Sequence, residues 1–153
     1  MINELVIPTD TDMRALGERL AAQLRAGDLL ILSGPLGAGK TTLVQGIGIG
    51  LGVRGAVTSP TFVIARVHPG PVVPLIHADA YRLGSFIEVD DLDLDTANSV
   101  TVVEWGAGLA EVLADDRLEI SISPDPDSSQ RTVRIQGFGT RWDAVLTGAE
   151  DRL

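Results

Sequence analysis

A single α/β domain, with a central and mostly parallel sheet flanked by helices and some antiparallel strands, is the fold this chain predicts. Three observations carry it. Gly34-Pro35-Leu36-Gly37-Ala38-Gly39-Lys40-Thr41 fits the phosphate-loop pattern G-x-x-x-x-G-K-[ST] at every fixed position. The apolar run before it, residues 28–33, has strand length, and Thr42-Leu43-Val44-Gln45-Gly46-Ile47 after it opens a helix. At 153 residues with 44% hydrophobic residues, the chain can bury one good core and has no room for a second full domain. Strand, glycine loop and helix start is the context of a P-loop NTPase domain. The domain is assigned to residues 1–153, with the motif-bearing core at about 10–125 and a C-terminal strand and helix at 130–150.

The elements follow in order. Residues 4–7 read as a short strand ended by Pro8, and Thr9 or Asp10 can cap a helix running to about Arg25. Its apolar positions Met13, Leu16, Leu20 and Leu24 recur at helical spacing. In the helix after the loop, Gly46, Gly48, Gly50 and Gly52 alternate. Each glycine weakens a helix by about 1 kcal/mol, so this one either frays near Gly50 or packs very closely on a neighbour. Residues 63–67 and 72–77 read as strands lying side by side around the turn at Pro69-Gly70-Pro71. The acidic stretch that follows is expected to be partly helical. Residues 100–104 form a continuous apolar strand ending in a carboxylate, residues 118–123 and 132–136 alternate as strands around a turn rich in Pro, Asp and Ser, and residues 141–149 suit a short last helix.

The loop carries the chemistry. Its glycines let the backbone turn tightly and aim N–H groups at phosphate oxygens, so Gly34, Leu36, Gly37, Ala38, Gly39, Lys40, Thr41 and Thr42 are assigned to the nucleotide. Lys40 is the only lysine in the chain and stands where an ammonium reaches the β- and γ-phosphates. The Thr41 hydroxyl is placed to ligate magnesium. A nucleoside triphosphate with Mg²⁺ is therefore the expected ligand.

Composition excludes several classes. Without cysteine there is no disulfide, Cys-zinc site or thiol catalysis. The N-terminus shows no signal-peptide pattern, no apolar run approaches membrane-spanning length, and a cytoplasmic location is the expectation. The net charge of −9 leaves no basic face for nucleic acid, so none is expected to bind the chain alone. Glu88, Asp90, Asp91, Asp93 and Asp95 crowd together, which reads as a solvated face or as a docking patch for a basic partner.

A P-loop needs a second acid, at the end of an apolar strand beside the loop's own strand. Two positions qualify, Glu104 and Asp79. Glu104 ends the cleaner strand and is assigned to the metal, directly or through water; Asp79 is assigned to supporting that site or orienting water. Thr61 could bring a second hydroxyl to magnesium or the γ-phosphate. His68 and His77 read as packing or surface residues, and Arg82 as a partner for a carboxylate or for phosphate, the carboxylate being favoured. No arginine finger is evident.

Four motifs now stand in order: Gly37-Ala38-Gly39-Lys40-Thr41-Thr42, Thr58-Ser59-Pro60-Thr61-Phe62, Asp79-Ala80-Tyr81-Arg82-Leu83 and Val103-Glu104-Trp105. Over roughly residues 10–125 the chain resembles the bacterial TsaE family, also called YjeE. The resemblance implies an ATPase, weak by itself, that acts with TsaD and TsaB in forming threonylcarbamoyladenosine beside the tRNA anticodon. It implies that Lys40 and Thr41 meet phosphate and magnesium, that Glu104 is the second magnesium residue, that Thr61 and Asp79 lie near the γ-phosphate, and that Trp105 lies close to the nucleotide. Pro35 stands where the family usually has Asp, and it lacks an N–H to offer phosphate.

Three other readings are weighed. A GTPase would need N-K-x-D and D-x-x-G; the one lysine is already used, and no D-x-x-G occurs. A small-molecule or nucleotide kinase would carry an arginine-rich lid, which is not evident. A regulatory protein that binds nucleotide without hydrolysing it differs from a slow ATPase only in turnover with its partners.

Overall fold

Leu29, Leu30, Ile31 and Leu32 are buried in succession in β2 (Leu29–Ser33), and all of β5 (Val100–Glu104) is buried as well. A parallel strand covered on both faces reads as an unbroken apolar run, which is what made these two legible. They pair in parallel, with Leu32 opposite Glu104. The computed structural model describes residues 2–35, 37–53, 57, 65–79, 95–104 and 116–147. The other elements there are β1 (Ile2–Ile7), α1 (Asp10–Ala21), α2 (Lys40–Leu51), β3 (Ala65–His68), β4 (Leu75–Asp79), β6 (Arg117–Pro124), β7 (Arg131–Phe138) and α3 (Thr140–Thr147).

One seven-stranded sheet runs β1-β7-β6-β2-β5-β4-β3. Its centre is parallel, through the pairs β6–β2, β2–β5 and β5–β4. Its margins are antiparallel: β1 with β7, β7 with β6, and β3 with β4. Toward the margin, burial alternates. Leu118, Ile120 and Ile122 of β6 and Val133 and Ile135 of β7 are buried, while Ser121 and Arg134 between them are exposed. This is the expected α/β architecture. Among the described residues no helix is long and apolar enough to cross a membrane.

Helices α1 and α2 pack together on one face of the sheet. Met13, Leu16 and Leu20 of α1 and Leu43, Val44 and Ile47 of α2 join Leu30, Leu32, Val100 and Val102 in one buried cluster. Close packing, not fraying, accounts for the glycines of α2. A Cβ on Gly46 would run into the backbone carbonyl of Arg14, and one on Gly17 would stand 2.7 Å from the Ile47 nitrogen. Near Gly50, a Cβ would lie 2.5 Å from that of Ala21, yet the helix continues to Leu51.

Several boundaries differ from the sequence expectation. Thr9 is the cap of α1, its hydroxyl accepting the Asp12 N–H at 3.1 Å. The helix stops at Ala21, not Arg25, because Gln23 and Leu24 donate to Leu20 and Ala21, three residues back, tightening the chain out of the helix. Asp28 precedes β2, where its carboxylate accepts the Arg25 N–H at 2.8 Å. It also takes a two-point ion pair from Arg141, with Nε to Oδ1 and Nη2 to Oδ2 both 3.1 Å. Arg141 donates to the Gln23 carbonyl at 2.7 Å as well, tying α3 to the segment between α1 and β2. Strand β4 begins at Leu75, three residues later than expected, because Pro74 has no N–H for the ladder. The acidic residues Glu88, Asp90, Asp91 and Asp93 lie outside the described residues, as do 58–64; Asp95 is exposed and precedes a short 3-10 turn, Thr96–Asn98.

Candidate functional site

At the end of β2 the chain turns through residues 34–39 into α2, whose first residue is Lys40. Gly39 caps the helix with φ 113°, a left-handed conformation that glycine tolerates and most residues do not. It brings no side chain to the leading N–H groups, so the start of α2 is uncapped and carries the positive end of the helix dipole. Gly37 also has positive φ, and nothing lies within 4 Å of where its Cβ would be. The rim of the loop is open there. Pro35 is exposed, and its carbonyl accepts the Ala38 N–H at 3.1 Å, which steadies the turn.

Lys40 is 6% exposed, and its Nζ donates to the Gly34 carbonyl at 2.6 Å. The ammonium is thus folded across the loop from the helix back to the strand end. Thr41 and Thr42, the next two residues of α2, are half-buried. An open glycine rim, an uncapped helix start and a buried cation beside it fit a chain of phosphates.

Glu104 lies in register with Leu32, two residues before the loop begins at Gly34. It is 4% exposed and shares its strand face with Val100 and Val102, which pack in the cluster beneath α1 and α2. Its Oε2 is 2.8 Å from Nε2 of His77, which is fully buried. Among the described residues no three His, Asp or Glu side chains converge as a metal cage. One carboxylate and one threonine hydroxyl suit magnesium, which keeps water and phosphate oxygens for most of its shell.

Asp79 is the last residue of β4 and pairs in register with Glu104. The two acids therefore end adjacent strands. They are not equivalent, however, because β5 borders β2 and β4 does not. The expectation that either acid ends a strand neighbouring the loop's strand is corrected: that holds for Glu104. Leu36, Thr61 and Trp105 lie outside the described residues, as does Arg82.

Two residues near the site escaped the sequence reading. The sequence predicts a packing or surface role for His77, and its bond to Glu104 depends on a cross-strand neighbour that spacing does not reveal. Its one signal is position, two residues before Asp79 on the same strand. Arg131, at the start of β7, pairs with Asp10 at 3.2 Å. A Cβ on Gly39 would lie 3.4 Å from its Nε, so its side chain packs against the loop. Another contact steadies the loop's helix: Gln45 of α2 donates to the Val57 carbonyl at 3.1 Å, just before the Thr58-Ser59-Pro60-Thr61 motif.

Comparison with known proteins adds to this geometry. The family model described as threonylcarbamoyl adenosine biosynthesis protein TsaE matches residues 7–133. A protein of Streptomyces coelicolor named tRNA threonylcarbamoyladenosine biosynthesis protein TsaE is 60% identical, over 85% of this chain and 93% of its own length. A protein of the same name from Bacillus subtilis is 38% identical, over 92% of this chain and 87% of its own. The crystal structure of Bacillus subtilis YdiB matches with a TM-score of 0.83 and 28% identity, covering 99% of this chain and 95% of that one.

Proposed function

The chain belongs to the TsaE family, and on that premise we propose that it is a Mg²⁺-dependent ATPase of tRNA threonylcarbamoyladenosine formation. In this reading it is cytoplasmic, hydrolyses ATP weakly alone, and is activated by TsaD and TsaB. The observation that carries the reading is the buried Lys40 at the uncapped start of α2, with Glu104 buried at the end of the neighbouring strand. A buried ammonium and a buried carboxylate at one end of a sheet, each held by a hydrogen bond within the protein, suit the reception of phosphate and a cation there.

Phosphoryl transfer from ATP to water needs positioning and charge neutralisation more than covalent chemistry. The N–H groups of the loop and of the first turn of α2 receive the phosphates. Lys40 leaves the Gly34 carbonyl for the β- and γ-phosphate oxygens, and its charge offsets theirs. Thr41 and Glu104 would hold the metal, which when bound neutralises charge that builds on the phosphoryl oxygens. Asp79, at the end of β4, orients the attacking water, and the resemblance to the family assigns Thr61 to the γ-phosphate and Trp105 to the nucleotide. Arg131 adds a fixed positive charge at the loop's flank. A transition-state arginine is worth roughly 10³–10⁵ in rate, and one brought by a partner would account for activation by TsaD and TsaB.

The test is phosphate release from ATP by the chain alone and with TsaD and TsaB from the same organism. Slow release that rises with the pair supports the proposal. Nucleotide binding without release in either setting would make the chain a regulatory nucleotide-binding protein.

A further inference from the structure

His77 is fully buried, its Nε2 stands 2.8 Å from Glu104 Oε2, and its Nδ1 is buried with no hydrogen-bond partner among the described residues. These facts limit what the ring is doing. A buried polar nitrogen left unpaired is destabilising, and an apolar side chain of similar size would avoid that cost. The position lies on a strand face that Leu75, two residues earlier, shares with the apolar core. Packing alone therefore gives no reason for a histidine. Its bond to Glu104 does.

A carboxylate oxygen only accepts, so the ring must donate through Nε2–H. That tautomer leaves Nδ1 as a bare acceptor, the less costly of the two groups to leave unpaired, since it strands no N–H. The bond is formed across two parallel strands, from the middle of β4 to the end of β5. Both residues are held by the sheet, so the bond restrains the carboxylate. It engages Oε2 of Glu104, so a cation would be met through Oε1.

We propose that His77 is a positioning residue that orients Glu104 toward the Mg²⁺ of the bound nucleotide, lowering the magnesium concentration the site requires. This rests on the reading of Glu104 as the metal carboxylate. Hydrogen-bonded partners behind a metal ligand commonly set affinity by roughly 10–100-fold. Gln is the conservative replacement, because its amide N–H2 reaches about as far as Nε2, whereas Leu keeps the bulk and removes the donor.

The experiment measures ADP binding to the whole chain by calorimetry across a magnesium titration, and again with the magnesium chelated. His77→Leu should raise the magnesium midpoint roughly 10–100-fold while leaving magnesium-free ADP affinity within about threefold of the wild type, and His77→Gln should recover most of the loss. A midpoint unchanged in His77→Leu, or an equal loss in magnesium-free binding, would overturn the proposal, since a merely structural role predicts one of these. Should His77→Leu fail to fold, a long-range proton–nitrogen correlation spectrum of the wild type decides: the Nε2-protonated tautomer supports the proposal and the Nδ1-protonated one overturns it. Failure of the functional reading looks different, because wild-type ADP binding would then be indifferent to magnesium.

Discussion

Asp79 and Glu104 stand opposite one another in register at the ends of β4 and β5, but Glu104 alone is on the strand that borders the phosphate-loop strand. One strand spacing, about 4.8 Å, separates two acids that look interchangeable along the chain. The proposed function gives the inner acid to the metal and the outer one to water. This difference is open to measurement.

Glu104→Ala and Thr41→Ala should each raise the magnesium concentration needed for nucleotide binding about tenfold or more. Asp79→Ala should leave that midpoint near the wild type and slow turnover by roughly 10²-fold or more. Magnesium titrations at fixed ATP, paired with phosphate release, separate the roles. If Asp79→Ala moves the midpoint and Glu104→Ala does not, the two assignments are reversed.

Gly46→Ala should destabilise the protein by about 1–3 kcal/mol, because the added methyl meets the backbone of Arg14, which cannot swing aside. Gly37→Ala, at a position open on all sides but with positive φ, should cost only about 1 kcal/mol. Thermal melting of the two variants without ligand checks the order. Equal losses would mean that α1 and α2 do not pack this closely.

Nucleotide binding should change the fluorescence of Trp105 and leave that of Trp142 alone. Trp142 is buried in the core, and the neighbouring Arg141 is tied to Asp28, which precedes β2, whereas the loop follows it. Adding ADP with Mg²⁺ to Trp142→Phe should preserve the response, and Trp105→Phe should abolish it. The reverse pattern would put the nucleotide near α3.

Arg131→Ala should weaken ADP binding roughly tenfold, by removing the cation packed on Gly39 of the loop. Asp10→Ala frees the same arginine from its ion pair and should not weaken binding. Calorimetric affinities of the two variants decide it. A loss in Asp10→Ala as large as that in Arg131→Ala would assign the pair to structure alone.

What the sequence revealed follows from how local each signal is. The loop is a contiguous string, and β5 is a contiguous apolar run, so Lys40, Thr41 and the strand ending at Glu104 could be read along the chain. The alternating glycines of α2 leave fraying and close packing equally open, because the helix that Gly46 and Gly50 touch is some thirty residues earlier. His77 and Arg131 were out of reach for the same reason. Glu104 is brought to His77 by strand order and register, and Gly39 to Arg131 by the packing of the loop beside β7, neither of which spacing in the sequence encodes. The end of α1 was misplaced because Leu24 continues the apolar period after the backbone has turned away, and it still packs on the core.

In the proposed function, Lys40 serves a triphosphate that the chain hydrolyses. Phosphate release from ATP by wild type and Lys40→Ala, each mixed with TsaD and TsaB, tests it most directly. The account predicts partner-stimulated release by the wild type and none above background from Lys40→Ala, with the variant melting near the wild type in the absence of nucleotide. Release by Lys40→Ala at the wild-type rate would contradict it.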